Sequence, residues 1–266
     1  NGGATVKLWG IQSSKGQCAV IECCQLSDLL AKDQSVVSVL PEELQSLISK
    51  YQSVFELPKG LPPTRDCDHH IDLLPRAQPF HMRPYRYAPA LKSEIEHQVA
   101  EMLKYGIVQH SQSEFSSSVI LVKKKDDNYR FCVDYRHLNA LTVKTRFPVP
   151  VIDEFLDELH GAAWFSTLDL RAGFHQIRMA PQDQHKTAFQ THHGQFEFRV
   201  MSFGLTGAPA TFQGAMNKTL SSLLRKCVLV FFDDILVYSP TWEAHLHHLE
   251  LVMQLLSNDQ WQVKLT

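Results

Sequence analysis

The sequence predicts an α+β fold, and three observations predict it. Helix-period and strand-period segments alternate irregularly, without the regular strand–helix repeat of a parallel doubly wound sheet. The 266 residues are 44% hydrophobic and 20% charged, ordinary globular usage with enough apolar material for one large or two moderate domains. Two apolar strand-like runs end in carboxylates, at Asp169 and at Asp233-Asp234, so chemistry is expected where strands stop.

The formal net charge is −2, which excludes a general basic coat; any nucleic-acid contact must come from local patches. The six cysteines (18, 23, 24, 67, 132 and 227) form no C-x-x-C pair and no zinc spacing with histidine. Reduced, mostly buried thiols of an intracellular protein are expected. No apolar run approaches the roughly 18 residues that span a membrane. The N-terminus reads as an internal cut from a longer chain, without a signal peptide.

Residues 1–60 carry no nameable chemistry. One helix is expected there, with Pro41 in its first turn and Leu44, Leu47, Ile48, Tyr51 and Phe55 at helical spacing. Prolines at 58, 62, 63, 75, 79, 84 and 89 predict an extended stretch that wraps a surface and forms no core element. A helix over 88–104 follows, with Leu91, Ile95, Val99, Met102 and Leu103 as its stripe and Gly106 as its stop. Strands are predicted over 118–122 and 129–133, joined by a polar turn. A short helix over 151–159 precedes a strand over 164–168, and two more strands are expected over 187–191 and 195–200. A helix over 209–224, a hairpin of 228–232 with 235–238, a helix over 242–256 and a strand beginning at Trp261 complete the pattern.

Five apolar residues, Val228 to Phe232, run straight into Asp233-Asp234. Adjacent carboxylates at a tight turn repel unless something neutralises them, and a hairpin chosen for its turn alone prefers Asn-Gly or Asp-Gly. Magnesium suits hard oxygen ligands and takes one or two carboxylates as its usual protein share. Taken alone, the pair reads equally as an acidic tip in solvent. Asp169 ends a second apolar run 64 residues earlier. Side by side, the two strands would aim three carboxylates at one place, the donor set of a two-metal phosphoryl-transfer site. Between 116 and 146, seven Lys or Arg face three Asp, and the turn Lys123-Lys124-Lys125 with Arg130 suits a triphosphate. Each of these alone has a bland reading, a strand-end turn or a solvated lysine run; their combination is the specific signal.

The segments RFCVDYRHLNALTVKTRFPVPVIDE from Arg130, FSTLDLRAGFHQIRMA, HKTAFQTHHGQFEFRVMSFGLTGAPATFQ and VFFDDILVYS carry a resemblance. Together they resemble the reverse transcriptase of gypsy-class LTR retrotransposons, especially those of plants, over roughly residues 68–266. The resemblance implies a right-hand polymerase: a connector (1–60), fingers (61–143 and 177–207) and a palm (144–176 and 208–266), with the thumb missing. It implies that Asp169 and Asp233 bind two Mg2+ ions, with Mn2+ as possible substitute, supported by Asp234 and the Leu170 carbonyl. Lys124 and Arg130 would hold the incoming deoxynucleoside triphosphate, and the backbone N–H groups of Ala172 and Gly173 would cradle its phosphates. Phe174 matches the aromatic steric gate against a 2′-hydroxyl. Phe203 would pack on the nucleotide, and Arg136 and Gly204 would lie near the template. The partners implied are an RNA or DNA template-primer, deoxynucleotides, and the thumb, RNase H, integrase and protease parts of one polyprotein, with no membrane. A cytoplasmic virus-like particle is the location implied.

Two departures stand out: Gly207 where the family usually has Asn, and Ser118 where it usually has Pro. They bear on local rigidity, not on metal or phosphate ligands. The missing thumb implies poor primer extension by this segment alone. Two rival readings are a catalytically inactive, nucleic-acid-binding relic of such a polyprotein, and a polymerase that makes RNA; the intact acids oppose the first and bulky Phe174 the second. The fourteen histidines are expected to hold no metal, and Phe189, Phe196, Phe198 and Phe212 are expected in the core.

Overall fold

The computed structural model describes residues 8–10, 41–58, 60–123, 129–144 and 157–264. In chain order the elements are β1 (Leu8–Gly10), α1 (Glu42–Lys50), α2 (Gln52–Phe55), α3 (Pro89–Lys104), β2 (Val108–His110), β3 (Ser117–Lys123) and β4 (Tyr129–Asp134). Then come α4 (Arg136–Leu141), β5 (Trp164–Leu170), 3-10 turns at Gly173–Gln176 and Pro181–Thr187, β6 (Phe189–Thr191) and β7 (Gly194–Phe198). The order ends with α5 (Ala208–Thr219), β8 (Val228–Phe231), β9 (Asp234–Ser239), α6 (Trp242–Asn258) and β10 (Val263–Lys264). Strands and helices mix without a regular repeat, as the α+β reading expected.

The chain divides into two compact units. The first comprises 1–56, 148–170 and 219–266. Its sheet runs β1-β5-β9-β8, every pairing antiparallel, and β10 shares the edge of β5 that β1 begins. The buried side of β5 is Ser166, Leu168 and Leu170, while Asp169 faces outward, the period-2 alternation of a one-sided sheet. α6 buries His245, Leu249, Val252, Met253 and Leu256, one stripe at helical spacing. Its start is fixed by Thr241, whose Oγ1 accepts from the Ala244 N–H at 3.2 Å. His245 is fully buried between two serines, its Nε2 2.8 Å from Ser166 Oγ and its Nδ1 2.9 Å from Ser239 Oγ. Burial pushes its pKa down to about 4, so it serves as a neutral bridge between α6 and the two strands.

The second unit comprises 57–147 and 171–218. Its sheet runs β2-β7-β6-β3-β4, with β3–β6 the parallel pair. Val119, Phe189, Phe196 and Phe198 fill its core, and Phe212 is fully buried on α5. The proline-dense segment is extended, as predicted, and lies against the unit. Ser116 N–H donates to Phe80 O and Met82 N–H to Ser116 O, both at 2.8 Å. Ser118 Oγ donates to Arg83 O at 2.8 Å, so the departure from Pro at 118 gains a tie to this strap. One expectation is corrected: the segment does enter the core. His69 and Ile71 are 3% and 2% exposed, because His69 N–H donates to Arg178 O and Ala180 N–H to His69 O, a two-bond ladder.

Other boundaries shift. The helix expected to reach 224 stops at Thr219, and a turn with Arg225 at φ 62 leads into β8. The strand expected from 187 begins at Phe189, since Thr187 ends the preceding 3-10 turn with its Oγ1 on Gln184 O. The helix expected from 41 is broken at Tyr51 into α1 and α2. β1, β2 and α4 were not expected. Residues 151–156 of the helix over 151–159, and 124–128 of the lysine-rich turn, lie outside the described residues. Cys67, Cys132 and Cys227 are free thiols, of which Cys227 alone is buried; the other three cysteines lie outside the described residues.

Asp183 anchors the strap. It is 4% exposed and accepts from Lys186 Nζ, His70 Nδ1 and the Ile71 N–H at 2.5, 3.1 and 3.3 Å. Asp183→Ala leaves a mostly buried lysine unpaired and should destabilise the protein by about 3–5 kcal/mol. Denaturant unfolding checks this, and a loss below about 1 kcal/mol would show that the strap is held by something else.

Candidate active site

The hairpin of β8 and β9 puts Phe231 opposite Asp234, leaving Phe232-Asp233 as its two-residue loop. Phe232 has φ 52, left-handed backbone on a bulky residue that costs about 1–2 kcal/mol. The turn is therefore not chosen for turn preference. It places Asp233 at the tip and starts β9 on Asp234.

Register then decides the site. Asp234 is the direct partner of Asp169 across β9 and β5, and Lys264 is the partner of Asp169 across β10 and β5. The Leu170 N–H donates to the Asp233 carbonyl at 3.3 Å. That bond makes Leu170–Asp233 the hydrogen-bonded pair and Asp169–Asp234 the non-hydrogen-bonded one, with Cα atoms about 4.5 Å apart and side chains closest. Three carboxylates thus gather at one end of one sheet: two exposed and opposed, the third at the adjoining turn.

Electrostatics record the crowding. The Asp234 pKa is pushed up to about 6, first by partial burial and then by the charges of Asp233 and Asp169. Burial also raises that of Asp169, with Asp233 adding to it and Lys264 opposing. Like charges directly opposite on a sheet are destabilising. Among the described residues, no three His, Cys, Asp or Glu side chains are already gathered as a metal cage. The donor set still suits a hard divalent cation. It is all oxygen, it carries excess negative charge, and magnesium needs one or two carboxylates with other ligands from substrate and water.

The remaining predicted residues that are described lie in the second unit, apart from Leu170, which is 3% exposed on β5. Lys124 lies outside the described residues; Arg130 is exposed on β4. Ala172 is left-handed at φ 47 and opens the 3-10 turn Gly173–Gln176 that carries Phe174. Phe174 is half-buried, its ring T-shaped to Phe203 at 4.8 Å, and Phe203 is 46% exposed. Gly204 at φ 90 lies over Tyr135 and Val133. Gly207 sits so close to His69 that a Cβ would lie 3.1 Å from its Cε1, so a side chain there would require the ring to give by a few tenths of an ångström.

Sequence reasoning missed several partners. Arg136 is gripped by Asp134, with Nε to Oδ1 at 2.9 Å and Nη2 to Oδ2 at 2.7 Å, while Tyr85 OH donates to Oδ2 at 3.1 Å. The guanidinium holds the Asp134 pKa down to about 2. Asn139 pins the 203–206 loop, donating to Gly204 O at 2.7 Å and accepting from Thr206 N–H at 2.9 Å. An acid two residues from an arginine was legible; the pairing of Lys264 with Asp169 was not, because strand partners far apart in sequence leave no local signal.

Residues 122–266, more than half of the chain, match the family described as reverse transcriptase (RNA-dependent DNA polymerase), and the chain belongs to that family. It is 37% identical over 229 residues to the retrovirus-related Pol polyprotein from transposon 297 of Drosophila melanogaster, covering 84% of this chain and 22% of that protein. It is 34% identical over 274 residues to the Pol polyprotein from transposon opus of the same fly, covering 97% of this chain and 27% of that one. The chain thus spans about a quarter or less of these relatives. Its fold matches the foamy viral protease-reverse transcriptase solved with an RNA/DNA hybrid at a TM-score of 0.73, with 24% identity, covering 86% of this chain and 31% of that one. No helix among the described residues is long and apolar enough to cross a membrane.

The raised Asp234 pKa has a testable sign. A carboxylate that is harder to ionise in the fold contributes stability at low pH and loses it as pH rises through about 6. In metal-free buffer, Asp234→Asn should therefore raise the melting temperature little at pH 4 and clearly at pH 7.5. A gain that does not change with pH would mean that the opposed charges are not the cause.

Proposed function

We propose that this chain is the polymerase portion of an LTR-retrotransposon polyprotein, of the gypsy class and close to those of plants, and that it copies RNA into DNA. The observation that carries the reading is the direct cross-strand opposition of Asp169 and Asp234, with Asp233 at the adjoining turn. In this reading the β5-bearing sheet is the palm, 61–143 and 177–207 are fingers, and 1–60 is a connector. The thumb, RNase H, integrase and protease belong to the rest of the polyprotein, which works in a cytoplasmic virus-like particle.

The reaction is attack of a primer 3′-hydroxyl on the α-phosphate of a deoxynucleoside triphosphate; the bond to the β-phosphate side breaks and pyrophosphate departs. Asp169 and Asp233 would hold two Mg2+ (or Mn2+) ions, helped by Asp234 and the Leu170 carbonyl, and the ions supply Lewis-acid activation and charge neutralisation. The protein contributes position. Lys124 and Arg130 bind the triphosphate, and the Ala172 and Gly173 N–H groups receive its phosphates. Only Arg171 separates Leu170 from Ala172 in the chain, so the metal-bearing strand and the phosphate-bearing turn are covalently adjacent. The left-handed Ala172 is the kind of strained backbone that function retains. Phe174 lies beneath the sugar, Phe203 packs on the nucleotide with Gly204 beside the template, and Asp134 holds the Arg136 fork toward the template backbone. The RNA/DNA hybrid bound by the foamy viral enzyme supports the choice of template-primer.

Primer extension on an RNA template with Mg2+ or Mn2+ tests the reading. Asp233→Asn should lower the rate roughly a hundredfold or more, the several kcal/mol that metal-held charge stabilisation supplies. Equal product from both proteins would defeat the enzymatic reading.

A further inference from the structure

Five rings form a continuous arc in the second unit. Phe212, fully buried on α5, lies 5.3 Å from Phe174 with the ring planes at 63°. Phe174 lies 4.8 Å from Phe203 at 90°. Phe203 lies 5.6 Å from His175 at 64°, and His175 lies 6.1 Å from Phe198, itself 3% exposed. Both ends are set in the core, while Phe203 in the middle is 46% exposed. Phe174 and Phe203, the two rings assigned to the nucleotide, are therefore held from behind by rings that the reaction itself does not use.

We propose that Phe212 and His175 are positioning residues for nucleotide sugar selection, fixing Phe174 and Phe203 as a rigid floor. The inference rests on reading Phe174 as the steric gate. A gate rejects a 2′-hydroxyl only if it cannot retreat, since a ring that tilts back by a fraction of an ångström removes the clash. The short 3-10 turn Gly173–Gln176 offers little resistance of its own. Phe212 blocks retreat into the core, and edge-to-face contact fixes the tilt as well as the depth. His175 packs edge-to-face on Phe203 and fixes the tilt of that ring in the same way. Burial pushes its pKa down to about 4, so it presents a neutral ring there at physiological pH.

The test is the ratio of kcat/KM for a deoxynucleotide to that for the matching ribonucleotide, in single-nucleotide extension. Phe212→Leu and His175→Ala should each lower the ratio about 2- to 10-fold, the worth of one aromatic pair, through gain of ribonucleotide use. His175→Phe, which keeps a ring, should leave the ratio near wild type. Phe174→Ala is the control and should lower it most. If Phe174→Ala relaxes selection while Phe212→Leu and His175→Ala do not, the positioning role is overturned and the gate stands. If Phe174→Ala changes nothing, the gate reading falls and this inference falls with it. Should Phe212→Leu fold poorly, the two His175 variants decide alone, because a ring-dependent ratio is not the signature of a general packing loss.

Discussion

The structure depends on one awkward juxtaposition: two carboxylates directly opposite each other on paired strands, with a third in the adjoining turn. Antiparallel pairing normally avoids like charges at this closest spacing. Here the chain builds toward it. β5 is an inner strand flanked by β9 on one edge and by β1 and β10 on the other, and its outward-facing position 169 carries the acid. Partial burial raises the pKa values of Asp169 and Asp234, and the charge of Asp233 adds to both. A divalent cation would convert that repulsion into attraction, so the feature that weakens the fold is the one proposed to recruit the ion.

Strain elsewhere follows the same logic. Phe232 and Ala172 both adopt left-handed backbone without being glycine, and they flank the acids along the chain, one at the hairpin loop and one just beyond β5. Buried polar chemistry compensates nearby. His245 joins Ser166 and Ser239, one on each acid-bearing strand, and so ties both to α6. Lys264 gives Asp169 a cationic neighbour on the side away from Asp234. The second unit holds the residues proposed to face nucleotide and template in the same way, with Asp134 holding Arg136, Asn139 holding the loop at Gly204, and the buried ring of Phe212 against Phe174.

Much of this was legible in the sequence, and what was missed has physical causes. The apolar runs into Asp169 and Asp233 revealed strands and acids, because such runs are local. The long helix α3 was found for the same reason, through its apolar stripe and its Gly106 stop. Short elements escaped: β2 has three residues, and its pairing with β7 is a tertiary fact. The helix expected to reach 224 overran because Leu220 and Leu223 keep helical spacing while serving the turn instead. The strap was read as a surface feature from its prolines, yet His69 and Ile71 between them are drawn inward by the ladder to Arg178 and Ala180. Register is the deepest omission. Nothing near Asp169 specifies that Asp234 and Lys264 will be its neighbours.

The most direct measurement is Mn2+ binding followed by electron paramagnetic resonance on the 266-residue chain without nucleic acid. If the opposed carboxylates are a cation site, free Mn2+ signal is lost on adding wild-type protein, and Asp169→Asn and Asp234→Asn each restore most of it. Equal Mn2+ binding by wild type and both variants would contradict the account, because the acids would then be a crowded surface feature with no ion to serve.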